Sequence, residues 1–430
     1  MTVVAAALFV CLGTPCAITG ATVHVGDGTV LTEATVLVEN GRIAAVGSAV
    51  AVPEGTAVID GRGRHLTPGL IESRSQVGLS EVGLEPLASD DSAEGLTITP
   101  AFDVADGYNP FSVWIPITRE EGVTAHVVAP RGGLIAGIAR FAWLTGDLDG
   151  APDRSRPLAL FADVTSGVSE DPRFGGARGM LWLTLREVFR DARFLRRHGR
   201  DYDRGASRKL ALDPVHLEAL YPVLDGKVPF VVRADRVSDI LAAIAFARRE
   251  GIRLVLSGAR EGWRVAERIA AAKVPVILNP AEQRPTTFDA VAARDDNPAL
   301  LDRAGVRLIL SAGDWSHNIR RLRQVAGIAV SYGLPHERAI EAVTSAPAEV
   351  FGVEGTGRVA PGYRADLVLW SGDPLELSTV AEHVFIGGVE RPMDNRQRRL
   401  VQRYLDRRPG GAAEAAAGAE AERGGASAAR

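Results

Sequence analysis

From Pro229 onward the chain repeats one pattern, and that pattern restricts its fold more than any other feature. A short apolar run, "PFVVRAD", precedes "SDILAAIAFARREG", where Ile240, Leu241 and Ile244 share one helical face and Gly251 ends the run. "IRLVLSG", "EGWRVAERIAAAK", "VPVILNP", "NPALLDRAG" and "VRLILSAGD" continue the alternation, and a further helix is expected from about His317 to Tyr332. Strands that are apolar throughout must be covered on both faces, which means a parallel sheet with helices outside it. "HLTPGLIES", "GVTAHVVAP" and "PLALFADV" supply earlier strands of the same kind. Together these make seven strands, and an eighth would close a barrel. The alternative is an open doubly wound sheet, which no glycine-rich phosphate loop after a first strand supports.

Both ends of this α/β region are flanked by β pattern. From Ala17 to His65, "ITGATVHV" and "EATVLVENGRIAAVG" alternate Val, Ile and Thr with other residues, Asn40-Gly41 predicts a tight hairpin, and Asp27-Gly28 marks another turn. Gly362 to Pro392 reads as β again, with Asp373-Pro374 as a turn. Short sheets need partners. The economical organisation is one composite β-sandwich from residues 17–66 and 359–392, with the barrel, residues 67–358, inserted between them. A helix over 393–407 and an Ala/Gly/Glu tail over 408–430 follow; the tail cannot build a core and is expected to be disordered.

Composition narrows the function classes. The 430 residues are 46% hydrophobic and 24% charged, enough for a sizeable core. A net charge of −4 points away from nucleic acid and anionic membranes. The two cysteines, Cys11 and Cys16, both lie near the start, so thiolate metal sites and cysteine nucleophiles are excluded from the body of the chain. The apolar core Val3 to Leu12 is too short to span a bilayer and resembles the apolar part of a secretory signal, without its basic region. Residues 1–16 are therefore read as a leader and the protein as exported or periplasmic; a buried first strand is the alternative. A small-molecule ligand and a homodimer are the partners expected.

The phrases "VLVENGRIAAVG", "HLTPGLIES", "GVTAHVVAP", "AIEAVTSAPAEVFGV", "GRVAPGYRADLVLWSGDPLE" and "VFIGGV", in this order, resemble the imidazolonepropionase-like branch of the amidohydrolase superfamily. The resemblance covers about Ala17 to Pro392. It implies a (β/α)₈ TIM-like barrel in a composite β-sandwich, and hydrolysis of carbon–nitrogen bonds, such as non-peptide or cyclic amides, at a zinc or other divalent metal centre. That centre takes His-x-His after the first barrel strand, a histidine after each of the fifth and sixth, and an aspartate after the eighth. The metal lowers the pKa of bound water to about 7 and so makes a nucleophile.

At the positions that the resemblance assigns to these ligands, this sequence carries other residues. Arg74 and Gln76 stand for the first pair, Arg233 for the fifth-strand histidine, and the sixth-strand position falls near Gly258. Arginine does not lose its proton in a protein and cannot ligate. The carboxylate survives as Asp314, or the position falls on Gly313. The metal centre is therefore expected to be degenerate. Of the eight histidines, His24 and His383 lie in the β pieces, His65 precedes the first barrel strand, His336 opens a late helix, and His126 reads as a core residue. His317, three residues past Asp314, is the best remaining candidate ligand, or simply a polar residue after an N-cap Ser316. A single ion held by Asp314, Asp235 or His317 is the narrower alternative to no metal at all. Arg74 and Arg233 would point into the barrel mouth, where pairing with Asp235 and Asp314 would plug it. Unplugged, two arginines make a receptor for carboxylate or phosphate. Glu261 and Trp263 are expected at the rim of the same pocket. The reading is thus of a carbon–nitrogen hydrolase by resemblance, or of a non-catalytic member binding a small anion or a partner.

Overall fold

The computed structural model describes residues 15–405 apart from 84, 94 and 314. The leader expectation lies almost wholly outside the described residues, as does the tail. No helix among those described is long and apolar enough to cross a membrane.

Strands from both chain ends form one sheet. They are β1 (Cys16–His24), β2 (Val30–Glu39), β3 (Arg42–Gly47), β4 (Ala57–Asp60) and β5 (His65–Pro68), joined by β14 (Leu367–Trp370), β15 (Ala381–Ile386) and β16 (Val389–Glu390). The order is β16-β15-β14-β5-β1-β2-β3, with β4 also paired to β1. The Asn40-Gly41 hairpin forms as its sequence predicts: Glu39 pairs with Arg42, and both loop residues have positive φ, 51° and 76°. The hydrogen bonding is continuous, because β1 changes partner along its length. Cys16 to Thr19 pair with β4, and Thr22 and Val23 pair with β5, on either side of Gly20 at φ 74°. The sheet encloses a core of Ile18, Val23, Val36, Ile43, Leu66, Leu367, Leu369 and Phe385.

The second sheet is the barrel: β6 (Leu70–Ser75), β7 (Val123–Val128), β8 (Ile135–Trp143), β9 (Ala159–Asp163), β10 (Phe230–Ala234), β11 (Leu254–Gly258), β12 (Val276–Leu278) and β13 (Leu308–Leu310), in sequence order. Seven of these are the strands legible in the sequence. The eighth, β8, runs antiparallel to both neighbours, so the barrel departs from a strict (β/α)₈ repeat there. A hairpin at residues 129–134 joins β7 to β8 where a helical crossover would otherwise stand. The Arg-rich stretch after Arg173, which shows no obvious pattern in sequence, is a helix from Arg178 to Asp203 whose buried stripe includes Leu181, Leu185, Val188, Phe189, Ala192 and Leu195.

Strand periodicity explains where the barrel changes from apolar to polar. Phe161, Val231, Val255, Ile277 and Ile309 share one core cluster, closed below by Ala346, Val350 and Phe351 of the helix Ser345–Phe351. Two residues further along these strands, on the same face, come Asp163, Arg233, Ser257, Asn279 and Ser311. Every one is polar, and that layer forms the mouth.

No ladder joins β6 to β13 in the strand order. The seam is instead bridged by the fully buried Glu72. Its carboxylate accepts the backbone N–H of Arg74 at 3.0 Å and of Ala312, past β13, at 2.8 Å. Close by, the N–H of Ile71 donates to the carbonyl of Val343 at 2.8 Å. Burial pushes the Glu72 carboxyl up to about 7, against the hydrogen bonds it accepts.

Candidate functional site

The mouth holds a cavity of about 300 Å³ lined by Arg74, Arg131, Arg233, Arg260, Asp235, Glu282, Ser257, Asn279, Gln283, Ser311 and Trp315, among others. It adjoins a cleft of about 670 Å³ that shares Arg233, Asp235 and Arg260 and adds Thr97, Gly133, Thr165, Asp171 and Asp289. The backbone positions of the four arginines have separate origins. Arg74 is on β6, just past the Glu72 bridge, and Arg233 is the inward residue near the end of β10. Arg131 sits on the β7–β8 hairpin. Arg260 follows a sharp turn at the end of β11, where Gly258 and Ala259 both have positive φ, 90° and 46°.

The structure brings Arg74, Arg233 and Asp235 to one cavity, but it distributes the pairs differently from the sequence expectation. Asp235 accepts from Arg260 at 2.8 Å, with both side chains buried. Arg233 faces Asp163 on the neighbouring strand at 3.8 Å, and Arg74 donates to the Ser257 hydroxyl at 3.2 Å. Arg131 pairs with Asp91 at 2.8 Å, and its guanidinium lies over the Trp315 ring at 4.9 Å. Arg131 and Arg260 escape sequence reasoning because each stands on a turn whose path the sequence does not specify. Asp314 lies outside the described residues.

The remaining candidates sit apart from this cavity. Gln76 is buried and its amide nitrogen has no hydrogen-bond partner. Glu261 is buried too; its carboxylate accepts the N–H of Val237 at 3.2 Å and of Ala292 at 3.0 Å, so it ties three segments together. Trp263 donates its indole N–H to the Ala292 carbonyl at 2.8 Å. His317 is exposed, its ring 6.3 Å from those of Trp114 and Trp315. His126 is fully buried with Nε2 3.3 Å from the Tyr108 hydroxyl, and burial pulls it down to about 3, so it is neutral at ordinary pH.

Among the described residues, the donor set at the mouth does not fit the imidazole ligands of a zinc centre. No histidine or cysteine is among the lining residues named for the cavity, and guanidinium groups carry no lone pair for an ion. The sixth-strand position is also filled: a Cβ on Gly258 would run into the Asp235 carboxylate. Among the described residues, one group of histidine and carboxylate side chains converges closely enough to ligate, and it lies elsewhere: His24, His336 and Glu337. Their wide separation in sequence hides them, as no His-x-His spacing connects them.

Comparison with known proteins agrees with this architecture. Residues 287–393 match the family described as the Amidohydrolase family. The chain is 27% identical over 396 residues to the amidohydrolase tasK of Hapsidospora irregularis, covering 82% of this chain and 39% of that protein. It is 29% identical over 182 residues to an imidazolonepropionase of Cereibacter sphaeroides, covering 40% of this chain and 44% of that one. It thus spans about two fifths of the length of these curated relatives. Among solved structures, an amidohydrolase from Thermotoga maritima superposes with a TM-score of 0.78 at 26% identity, covering 87% of this chain and 99% of that one.

Proposed function

We propose that this chain is a member of the amidohydrolase superfamily, which its family match and its likenesses support, and that its barrel mouth receives a small organic anion, of the amide or cyclic-amide class that the superfamily handles, without the superfamily's metal centre. The observation that carries this reading is an open cavity lined by four guanidinium groups, Arg74, Arg131, Arg233 and Arg260. Guanidinium offers a planar fork of donors that matches carboxylate or phosphate, and its charge-assisted bonds are worth about 1.5–3 kcal/mol each. The Asp235–Arg260 and Asp91–Arg131 pairs hold two of the forks in place. They would not plug the mouth in this reading; they would stiffen its rim.

Replacing Arg233 or Arg74 with alanine is expected to weaken the binding of small carboxylates or phosphates by roughly 10- to 100-fold. Titration calorimetry with a panel of such anions measures this. Anions that bind both variants as well as wild type would sink the receptor reading.

The second reading is hydrolysis of a carbon–nitrogen bond, favoured by the likeness to an amidohydrolase over nearly the whole of that enzyme. In this chain, hydrolysis would have to use groups other than imidazole at the mouth to activate water. Amide hydrolysis that vanishes on chelation and returns with zinc, while the Arg74 and Arg233 variants keep full activity, would establish an ordinary metal hydrolase instead.

A further inference from the structure

Away from the mouth, where the terminal sheet meets the barrel, three histidines and two carboxylates form one connected group. His24 ends β1 and His65 begins β5, while His336 and Glu337 open the helix His336–Ala342 and Asp373 follows β14. The Glu337 Oε1 atom lies 3.0 Å from Nδ1 of His24 and 2.9 Å from Nδ1 of His336. Ligand atoms held at about 2.0–2.1 Å in a tetrahedral zinc site stand roughly 3.3 Å from one another. Both distances from the Glu337 oxygen are therefore close to a tetrahedral edge, and one ligand atom from each of His24, His336 and Glu337 lies within 4.8 Å of the other two.

The outer atoms strengthen the case. Nε2 of His336 is 2.9 Å from the Asp373 carboxylate, and Nε2 of His24 is 2.9 Å from Nδ1 of His65. Metal-bound histidines typically donate their other ring N–H to a carboxylate or other acceptor, which fixes the ring and its tautomer. On the far side His336 faces a carboxylate and His24 faces the second imidazole nitrogen, of His65, while both Nδ1 atoms are turned toward one carboxylate oxygen. His24 is buried, while the His336 and Glu337 side chains are 31% and 26% exposed, so an ion can enter from solvent.

We propose that Nδ1 of His24, Nδ1 of His336 and the Glu337 carboxylate form a binding site for a divalent transition-metal ion, best matched by zinc, with His65 and Asp373 orienting the two imidazoles. The ion would link the terminal sheet to the barrel helix across 313 residues of sequence. This assignment is independent of what the mouth does.

Full-length protein is stripped with chelator, titrated with zinc ion alone, and assayed for bound metal and melting temperature. The result expected is one zinc per chain and a higher melting temperature with zinc. His336→Asn should abolish both, and Arg233→Ala should change neither. Asp373→Asn removes no ligand and leaves the inner group in place; it should weaken zinc binding by roughly 10- to 100-fold. If His336→Asn fails to fold, the Asp373 variant decides. No zinc above the buffer background in wild type overturns the proposal, as does zinc binding that the Asp373 and His336 variants leave unmoved.

Discussion

Glu72→Ala is expected to lower stability by about 3–5 kcal/mol, measured as a fall in the urea midpoint. The magnitude follows from the position. Two backbone N–H groups, of Arg74 and Ala312, would lose their buried acceptor, and the barrel would lose a bridge at the one seam its ladder leaves open. The same residue gives a pH dependence. Its folded-state pKa of about 7 stands above the usual 4.5, so between those values the folded protein holds a proton that the unfolded chain has released. Stability is therefore greatest below pH 4.5 from this group's standpoint, falls as pH rises toward 7, and levels off above it, by about 3 kcal/mol in all. Glu72→Gln, neutral throughout, should flatten this part of the profile. Profiles of wild type and the Glu72→Gln variant that stay parallel from about pH 4.5 to 8 would refute the assignment.

Trp370→Ala should cost about 3–5 kcal/mol. Trp370 is completely buried at the end of β14, and its indole N–H donates to the Thr67 hydroxyl at 2.9 Å. Its ring fills the space beside Gly122, where a Cβ would collide with it. Gly122 immediately precedes β7, so this one ring packs the terminal sheet on the barrel. Denaturant titration with an unchanged slope and a lower midpoint would show the loss; a midpoint shift of less than about 1 kcal/mol would mean the cavity collapses without penalty.

The fold was largely legible where one periodicity acted alone. The strands around Val231, Val255, Ile277 and Ile309 are uninterrupted apolar runs because both faces are buried. β8 escaped because "IAGIARFAW" carries a glycine and a buried Arg140 whose charge is met by Asp103, a partner that no local pattern reveals. The helix Arg178–Asp203 escaped because its exposed arginines dilute the apolar stripe. At the mouth, Arg74 and Arg233 could be placed because the family resemblance assigns them to positions at the ends of barrel strands, and Asp235 stands just past one of them. Their pairing could not, since Asp235 bonds Arg260, which is set by the turn at Gly258 and Ala259. The His24 group depends on contacts between segments hundreds of residues apart, which strand counting cannot supply.

The position of β5 between β1 and β14 has a consequence for synthesis on the ribosome. Thr67 and Trp370 bond to each other across 303 residues, so β5 emerges long before the strand that covers its outer edge. Closing so long a loop is entropically slow, and an uncovered strand edge invites pairing with other chains. The nascent amino-terminal strands must therefore wait, with one edge open, until the barrel has been translated. Their protection in that interval is the step at which this topology is most exposed to aggregation.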